Sequence, residues 1–345
     1  MKANLVAVMS KDIYILAIES SCDDTGVAIV KNGREVVSNV VSSQIDIHTL
    51  YGGVVPEIAS RNHAVNINGV CAEALKRANM TIDDMDAIAV TYGAGLLGAL
   101  IVGVNFAKGL AFSSGKPLVA VNHIEGHIAS NYIAFKELEP PFLCLIVSGG
   151  HTALVEMSDY TTRKLIGTTT DDAVGEAFDK VARVLGLPYP GGPSIQRHAK
   201  EGTASIKFMR THARDDYNFS YSGLKTAVVN YVHTLSQRGE SIPVNDICAS
   251  FQKEAVEMLV NNTIRATKEF GYNKIVLAGG VSANACLRET MKREAEKIGV
   301  QVFYPELSLC TDNAAMIGAA GYIGYTSGKG IVDPKDLQPC STIKL

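Results

Sequence analysis

The chain's apolar positions fall into two patterns. Compact, unbroken runs at residues 13–18, 86–91, 142–147 and 274–278 read as strands buried on both faces, as in sheets covered by helices. Stretches with apolar residues three to four apart predict helices over 56–78, 96–112, 172–185, 222–235, 244–270 and 312 to about 325, the first with Pro56 in its opening turn. Further strands are predicted at 27–31, 35–41, 153–157 and 302–304, with Asn32-Gly33 as a hairpin turn. A strand, a small polar turn and a second strand therefore occur twice, each time followed by helices. This predicts two similar α/β lobes with a cleft between them, where ligands commonly bind. We place the lobes at 12–122 plus 313–330 and at 123–312.

The length of 345 residues suits two packed lobes. With 47% hydrophobic and 19% charged residues, the composition is that of a soluble globular protein. No apolar stretch approaches the roughly 20 residues of a membrane span, so no membrane is expected. The apolar run at 5–9 is broken by Ser10-Lys11-Asp12, so residues 1–12 read as an extension rather than a signal peptide. Cys22, Cys71, Cys144, Cys248, Cys286, Cys310 and Cys340 are scattered, with no C-x-x-C pair, which indicates a reducing compartment and a cytoplasmic protein. The net charge of −3 does not advertise nucleic-acid binding. Residues 197–214 depart from it, carrying Arg197, Lys200, Lys207, Arg210 and Arg214 with His198 and His212, against Glu201. That stretch is either a solvated surface or a local patch that meets phosphates. Residues after Ser327 carry no signal for a specific role.

Three strand ends bear small polar residues and glycines: Ser20-Ser21-Cys22-Asp23-Asp24-Thr25-Gly26, Ser148-Gly149-Gly150-His151-Thr152 and Gly279-Gly280-Val281-Ser282-Ala283-Asn284. Successive backbone N–H groups in such turns can form an anion-binding concavity. None fits a P-loop or a dinucleotide fingerprint. Tyr189-Pro190-Gly191-Gly192-Pro193 reads as a rigid turn. Upstream of it, helical spacing lines Asp172 and Glu176 up with Asp179 or Lys180, a solvated face or a set of carboxylates suited to ribose hydroxyls.

His123-Ile124-Glu125-Gly126-His127 is the sharpest local feature. On a helix, positions i and i+4 lie about 40° apart, so both imidazoles can meet one ion. Glu125 is displaced from the H-E-x-x-H register and projects to the other side, which argues against a zinc protease. Asp312, at the start of the last apolar helix, is the candidate third ligand, or else a plain helix N-cap. Two His and one carboxylate suit iron(II) or another divalent ion.

The ordered set of motifs resembles the bacterial tRNA N6-adenosine threonylcarbamoyltransferase (TsaD) family. The matching strings are residues 18–25, His123 with His127, residues 147–152, 171–180 with Gly191-Gly192-Pro193, 220–225, 279–284 and 311–316, in the family's order. The resemblance implies the actin-like ATPase (ASKHA) fold, with an adenine nucleotide in the cleft. It implies one divalent metal per subunit on His123, His127 and Asp312, with iron(II) expected and zinc the alternative. It places Ile146, Val147, Ser148, Gly149, Gly150, Asp179, Gly192, Gln196 and Asn284 on the adenylate substrate; Gln196 stands where the family often has Asp. The family's usual Asp-Glu-Thr-Gly reads Asp23-Asp24-Thr25-Gly26 here.

The activity so implied is transfer of the threonylcarbamoyl group from threonylcarbamoyl-AMP to N6 of adenosine 37 in tRNAs reading ANN codons, releasing AMP. Asp23 is assigned beside the reacting amine. The implied partners are tRNA, a paralogous non-catalytic subunit of the same fold forming a heterodimer, and a small P-loop ATPase. A small-molecule kinase or carbamoyl-phosphate-type transferase would share the glycine turns without needing the His pair or Asp312. A scaffold paralogue would lack all three.

Overall fold

The computed structural model describes residues 11–208 and 216–343. The extension before residue 11, and Arg210, His212 and Arg214 of the basic stretch, lie outside them. The first sheet is built from β1 (Tyr14–Glu19), β2 (Asp24–Lys31), β3 (Glu35–Ser43), β4 (Ala87–Gly93) and β5 (Leu118–Asn122). Helices α1 (Ile45–Thr49) and α2 (Pro56–Ala78) precede β4, and α3 (Leu97–Ser114) precedes β5. Helix α4 (His123–Ala134) leads to the second sheet, made of β6 (Phe142–Val147), β7 (Thr152–Met157), β8 (Arg163–Thr168), β9 (Lys274–Ala278) and β10 (Gln301–Phe303). Between β8 and β9 lie α5 (Val174–Val184), α6 (Gly191–Ala199), α7 (Ser222–Gln237) and α8 (Val244–Phe270), and α9 (Ala285–Glu296) precedes β10. After α10 (Leu307–Cys310) and α11 (Ala314–Ser327), β11 (Ile331–Val332) pairs antiparallel with β5 at the edge of the first sheet.

The strand orders are β11-β5-β4-β1-β2-β3 and β10-β9-β6-β7-β8. Setting β11 aside, the two sheets repeat one plan. An antiparallel hairpin (β1–β2, β6–β7) is flanked by a third antiparallel strand on one side and by parallel strands on the other. This is the duplication that the repeated strand–turn–strand pattern predicts.

Both sheets are covered on both faces, which explains the apolar runs without alternation. Along β1, Ile15 and Ala17 enter the core shared with α4 and α11, while Leu16 and Ile18 enter the core beneath α2 and α3. Along β6, Cys144 and Ile146 join that same central core, whereas Leu143, Leu145 and Val147 face α5, α7 and α8. Thus α4 and α11 form a layer between the sheets. Helix α11 seats closely on the first sheet because it is small there: a Cβ on Gly321 would lie 2.5 Å from Ala89 Cβ.

By length and composition α3 could cross a membrane, with a mean hydropathy of 1.4. The same test is met by core helices of soluble proteins, and Val104, Ala107 and Ala111 of α3 are buried on the first sheet. All seven cysteines are free.

Candidate active site

His123 opens α4, directly after Asn122, whose Oδ1 accepts from Ile124 N at 2.9 Å and caps the helix. The first two turns of α4 bring the imidazoles of His123 and His127 to a ring separation of 4.6 Å. Asp312, between α10 and α11, places Oδ1 3.4 Å from His123 Nε2 and 3.3 Å from His127 Nε2. The helix N-cap is Asn313 instead, its Oδ1 accepting from Met316 N, so Asp312 is left to the imidazoles.

A metal about 2.1 Å from each donor requires donor–donor separations of about 3.0–3.4 Å; both Asp312–imidazole separations meet this and all three donors lie within 4.8 Å of one another, a set suited to one divalent ion. Glu19, the last residue of β1, supports it. Its carboxylate lies 3.2 Å from His123 Nδ1, and it accepts from Thr91 Oγ1 at 2.6 Å and Ser21 N at 2.5 Å. With the Nδ1 proton held by Glu19, loss of the Nε2 proton to a metal would leave its lone pair on the Asp312 side, the orientation a ligating imidazole needs. Burial works against charging His123 and Asp312. The opposite charges win: His123 is held well above the usual histidine range by Asp312 and Glu19, and Asp312 well below the carboxylate range by the two imidazoles.

The turn after β1 carries Asp23 and Asp24, both half-buried. His63 of α2, fully buried, pins it by donating from Nε2 to the Cys22 carbonyl at 2.9 Å and accepting from Thr25 Oγ1 at 2.7 Å. The tail after β11 also reaches this region. Cys340 N donates to the Tyr92 carbonyl and Gly95 N to the Ser341 carbonyl, while Leu96 N donates to the Ser21 carbonyl. Ser21 Oγ in turn lies 3.1 Å from His123 Nδ1.

Asp24 is raised to about 7, chiefly by burial, with Asp23, Asp312 and Glu19 adding repulsion and Ser43 opposing. Its unfolded value is near 3.9. Both states are protonated below about pH 4, and the destabilisation grows between pH 4 and 7 and stays above it. Asp24→Asn in metal-stripped protein is therefore expected to gain roughly 1–2 kcal/mol at pH 8 and nothing at pH 4, discounted for partial exposure. Thermal midpoints across that range test it; an equal gain at both ends sinks it.

The strand-end turns of the second lobe converge. A Cβ on Gly279 would meet the Val147 carbonyl, and one on Gly175 would meet Ser148 and Gly149. Ile146 and Val147 send their side chains into cores, so a ligand meets only their backbone. Ser148 exchanges hydrogen bonds with His151, and Gly149 and Gly150 are exposed. His151 is lowered to about 4, first by burial and then by His123 and His127, which sets this turn beside the trio.

The segment at 191–193, read as a rigid turn, instead begins α6, and Asp179 Oδ1 accepts from Gly191 N at 2.7 Å at its start, next to Gly192. Burial, then the carboxylates of Asp23 and Asp179, push the Tyr189 hydroxyl well above the tyrosine range. Gln196 Oε1 accepts from Ala285 N and Asn284 Oδ1 from Leu287 N, so both amides cap α9. The acidic face at 172–180 is taken by lysines: Lys180 pairs with Asp172 at 2.8 Å and Glu176 at 2.7 Å, and Lys225 with Asp172 at 2.5 Å. Glu125 pairs with Arg163 on the far side of α4. Glu19, His63 and Tyr189 were given no role by sequence reasoning; a carboxylate ending a wholly buried strand was the available signal for the first.

The family model for TsaD, tRNA N6-adenosine threonylcarbamoyltransferase, matches residues 35–319. The tRNA N6-adenosine threonylcarbamoyltransferase of Clostridium botulinum (strain 657 / Type Ba4) is 57% identical over 323 residues, covering 93% of this chain and 95% of that protein. That of Clostridium perfringens (strain SM101 / Type A) is 58% identical over 322 residues, with 93% and 95% covered. Among solved structures, full-length HypF in a phosphate- and nucleotide-bound form aligns with a TM-score of 0.63 at 15% identity, covering 92% of this chain and 47% of HypF. Component A of the Acidaminococcus fermentans (R)-2-hydroxyglutaryl-CoA dehydratase gives a TM-score of 0.53 at 15% identity, over 91% and 99%. The ROK hexokinase of Thermus thermophilus gives 0.50 at 13%, over 92% and 100%. The fold is that of the actin-like ATPases, and by its sequence the chain belongs to the TsaD family of tRNA N6-adenosine threonylcarbamoyltransferases.

Proposed function

We propose that the chain transfers the threonylcarbamoyl group of threonylcarbamoyl-AMP to N6 of adenosine 37 in tRNAs reading ANN codons. The observation that carries this reading is the convergence of His123, His127 and Asp312, braced by Glu19, beside the glycine turns at 148–150 and 279–284 in a chain of this family. We take residues 12–122 plus 313–330 as one lobe and 123–312 as the other.

In this reading the adenylate lies along the backbone of residues 146–150, with Asp179, Gly192, Gln196 and Asn284 around its nucleoside. When bound at the trio, a divalent ion, iron(II) or zinc, supplies Lewis acidity to the phosphate and acyl oxygens. The N6 amine attacks the carbamoyl carbon, the C–N bond forms as the C–O bond to phosphate breaks, and AMP leaves with the electron pair. Asp23, on the opposite wall, takes the amine proton. An adenine amine is a poor nucleophile, so orientation by the two lobes supplies much of the rate, and the base is splayed out of its loop to reach the cleft. Exposed Arg197, Lys200 and Lys207 are available to phosphates. With a net charge of −3 the chain is expected to hold tRNA through partners, a paralogous subunit of the same fold and a small P-loop ATPase in the cytoplasm, with no membrane. Val65 and Phe112, exposed on α2 and α3, offer apolar surface for a protein partner.

A transfer assay tests this: labelled threonine, bicarbonate, ATP, an unmodified ANN-decoding tRNA, the adenylate-forming enzyme and the partners. Label on tRNA that requires this chain, and falls at least a hundredfold with His123→Ala, is the expected result. An intact complex that leaves tRNA unlabelled overturns the reading and makes a small-molecule kinase next to test.

A further inference from the structure

The loop that delivers Asp312 is tied to the glycine turn at 279–284 by one arginine. Arg288 lies near the start of α9, the helix that this turn leads into and that Asn284 caps. Its Nε donates to the Ser282 carbonyl at 2.6 Å. Nη2 donates to the Pro305 carbonyl at 2.9 Å and to Cys310 Sγ at 3.1 Å. The guanidinium also lies over the Tyr304 ring, 4.6 Å from its centre. One planar fork thus holds a carbonyl of the turn and two groups of the loop at fixed spacing.

Cys310 completes the tie. Its sulfur accepts from Ser282 Oγ at 3.4 Å and donates to the Glu306 carbonyl at 3.3 Å, and both Ser282 and Cys310 are fully buried. Asp312 follows two residues later. Beyond it, Asn313 caps α11 with Oδ1 and donates from Nδ2 to the Thr311 carbonyl at 2.8 Å. The carboxylate that faces both imidazoles therefore sits on a short span, anchored on one side by Arg288, Cys310 and Ser282 and on the other by the start of α11. Glu19 steadies His123 through the outer nitrogen of its ring; this cluster steadies Asp312 through its backbone.

We infer that Arg288 is a positioning residue for the metal centre, through which a nucleoside on the turn at 279–284 and an ion on the trio each tighten the other's binding. The nucleoside half rests on the function proposed above; the positioning of Asp312 does not. Ligand distances in a metal site hold to about 0.2 Å. A displacement of the Ser282 carbonyl moves the guanidinium, and with it residues 305–310, so a small shift at the turn reaches Asp312. Seating a ligand that fixes the turn fixes the carboxylate as well, and by linkage the effect is reciprocal.

Titration of the metal-stripped full chain with cobalt(II), read by visible absorption with and without adenosine, tests the inference. Adenosine has no phosphate to touch the ion, so its effect on cobalt affinity passes through the protein. Wild type is expected to bind cobalt about fivefold more tightly with saturating adenosine. Arg288→Met should weaken cobalt binding about tenfold without adenosine and abolish the adenosine effect. Arg288→Lys, which keeps the charge and loses the fork, should weaken it about threefold, and it decides the matter if Arg288→Met folds poorly. Arg34→Met is the control for a general loss of stability. Arg34 bonds the carbonyls of Tyr132, Phe135 and Leu138 at the other end of α4 from His123. Its replacement should lower the thermal midpoint and leave cobalt affinity within twofold. Undiminished cobalt binding by Arg288→Met, or an equal loss in Arg34→Met, overturns the positioning role. Adenosine that binds without changing cobalt affinity, or does not bind, overturns the coupling. Failure of the transfer assay beside weakened cobalt binding in Arg288→Met counts against the proposed function and leaves Arg288 in its place.

Discussion

Asp312→Ala is expected to lose its divalent ion through gel filtration and to fall at least a thousandfold in transfer, whereas Glu19→Gln should retain the ion at reduced affinity and lose about 10–100-fold. The difference follows from position. Asp312 contributes the carboxylate oxygen that both Nε2 atoms face, and without it two imidazoles are left to hold the ion. Glu19 touches only the outer nitrogen of His123, and loss of such a support typically costs 10–100-fold in metal affinity or activity. The amide of the Glu19→Gln variant keeps an acceptor for the Nδ1 proton and loses the charge. Metal content by mass spectrometry and the transfer assay are read on the same preparations. Full metal occupancy in Asp312→Ala would remove Asp312 from the ligand set.

The second large effect is on stability. Gly279→Ala is expected to cost about 3–5 kcal/mol and lower the thermal midpoint by about 4–7 °C. Gly279 has φ of +91°, and a Cβ there would sit 2.5 Å from the Val147 carbonyl oxygen. Val147 ends β6 and Gly279 directly follows its parallel neighbour β9, so neither backbone can retreat without disturbing the turns that face the cleft. Gly280→Ala is the matched control, since a Cβ at Gly280 meets nothing within 4 Å. Equal melting of the two variants by calorimetry would show that the close approach is tolerated.

Much of this was legible in the chain itself, for a physical reason. Strands buried on both faces, such as Phe142–Val147 and Lys274–Ala278, leave apolar runs whose bounds are sharp, and Pro56 and Gly271 punctuate the long helices at each side. What stayed hidden depends on partners distant in sequence. Strand β8 is an edge strand with exposed Lys164 and Leu165 and shows no apolar run. Helix α6 starts on two glycines, a poor opening by propensity, with Asp179 from α5 accepting from its first N–H. The i, i+4 spacing pointed to His123 and His127, but only the fold decides that Asn313, not Asp312, caps the last helix. Spacing placed Lys180 on the face of Asp172 and Glu176, but the second lysine on Asp172, Lys225, comes from α7, which spacing on one helix cannot foresee.

The seating of α11 on the first sheet has a consequence for biosynthesis. Strands β1 to β5 leave the ribosome early, yet the helix that covers their inner face follows only after the whole second sheet. At about 5–20 residues per second the interval is about 10–40 s, during which Ile15, Ala17, Ala89 and Val119 have only α4 beside them. The nascent first lobe is thus expected to stay open to a holding chaperone until α11 is made, whereas the second lobe, whose helices α5 to α9 are made alongside its strands, is expected to close its outer face first.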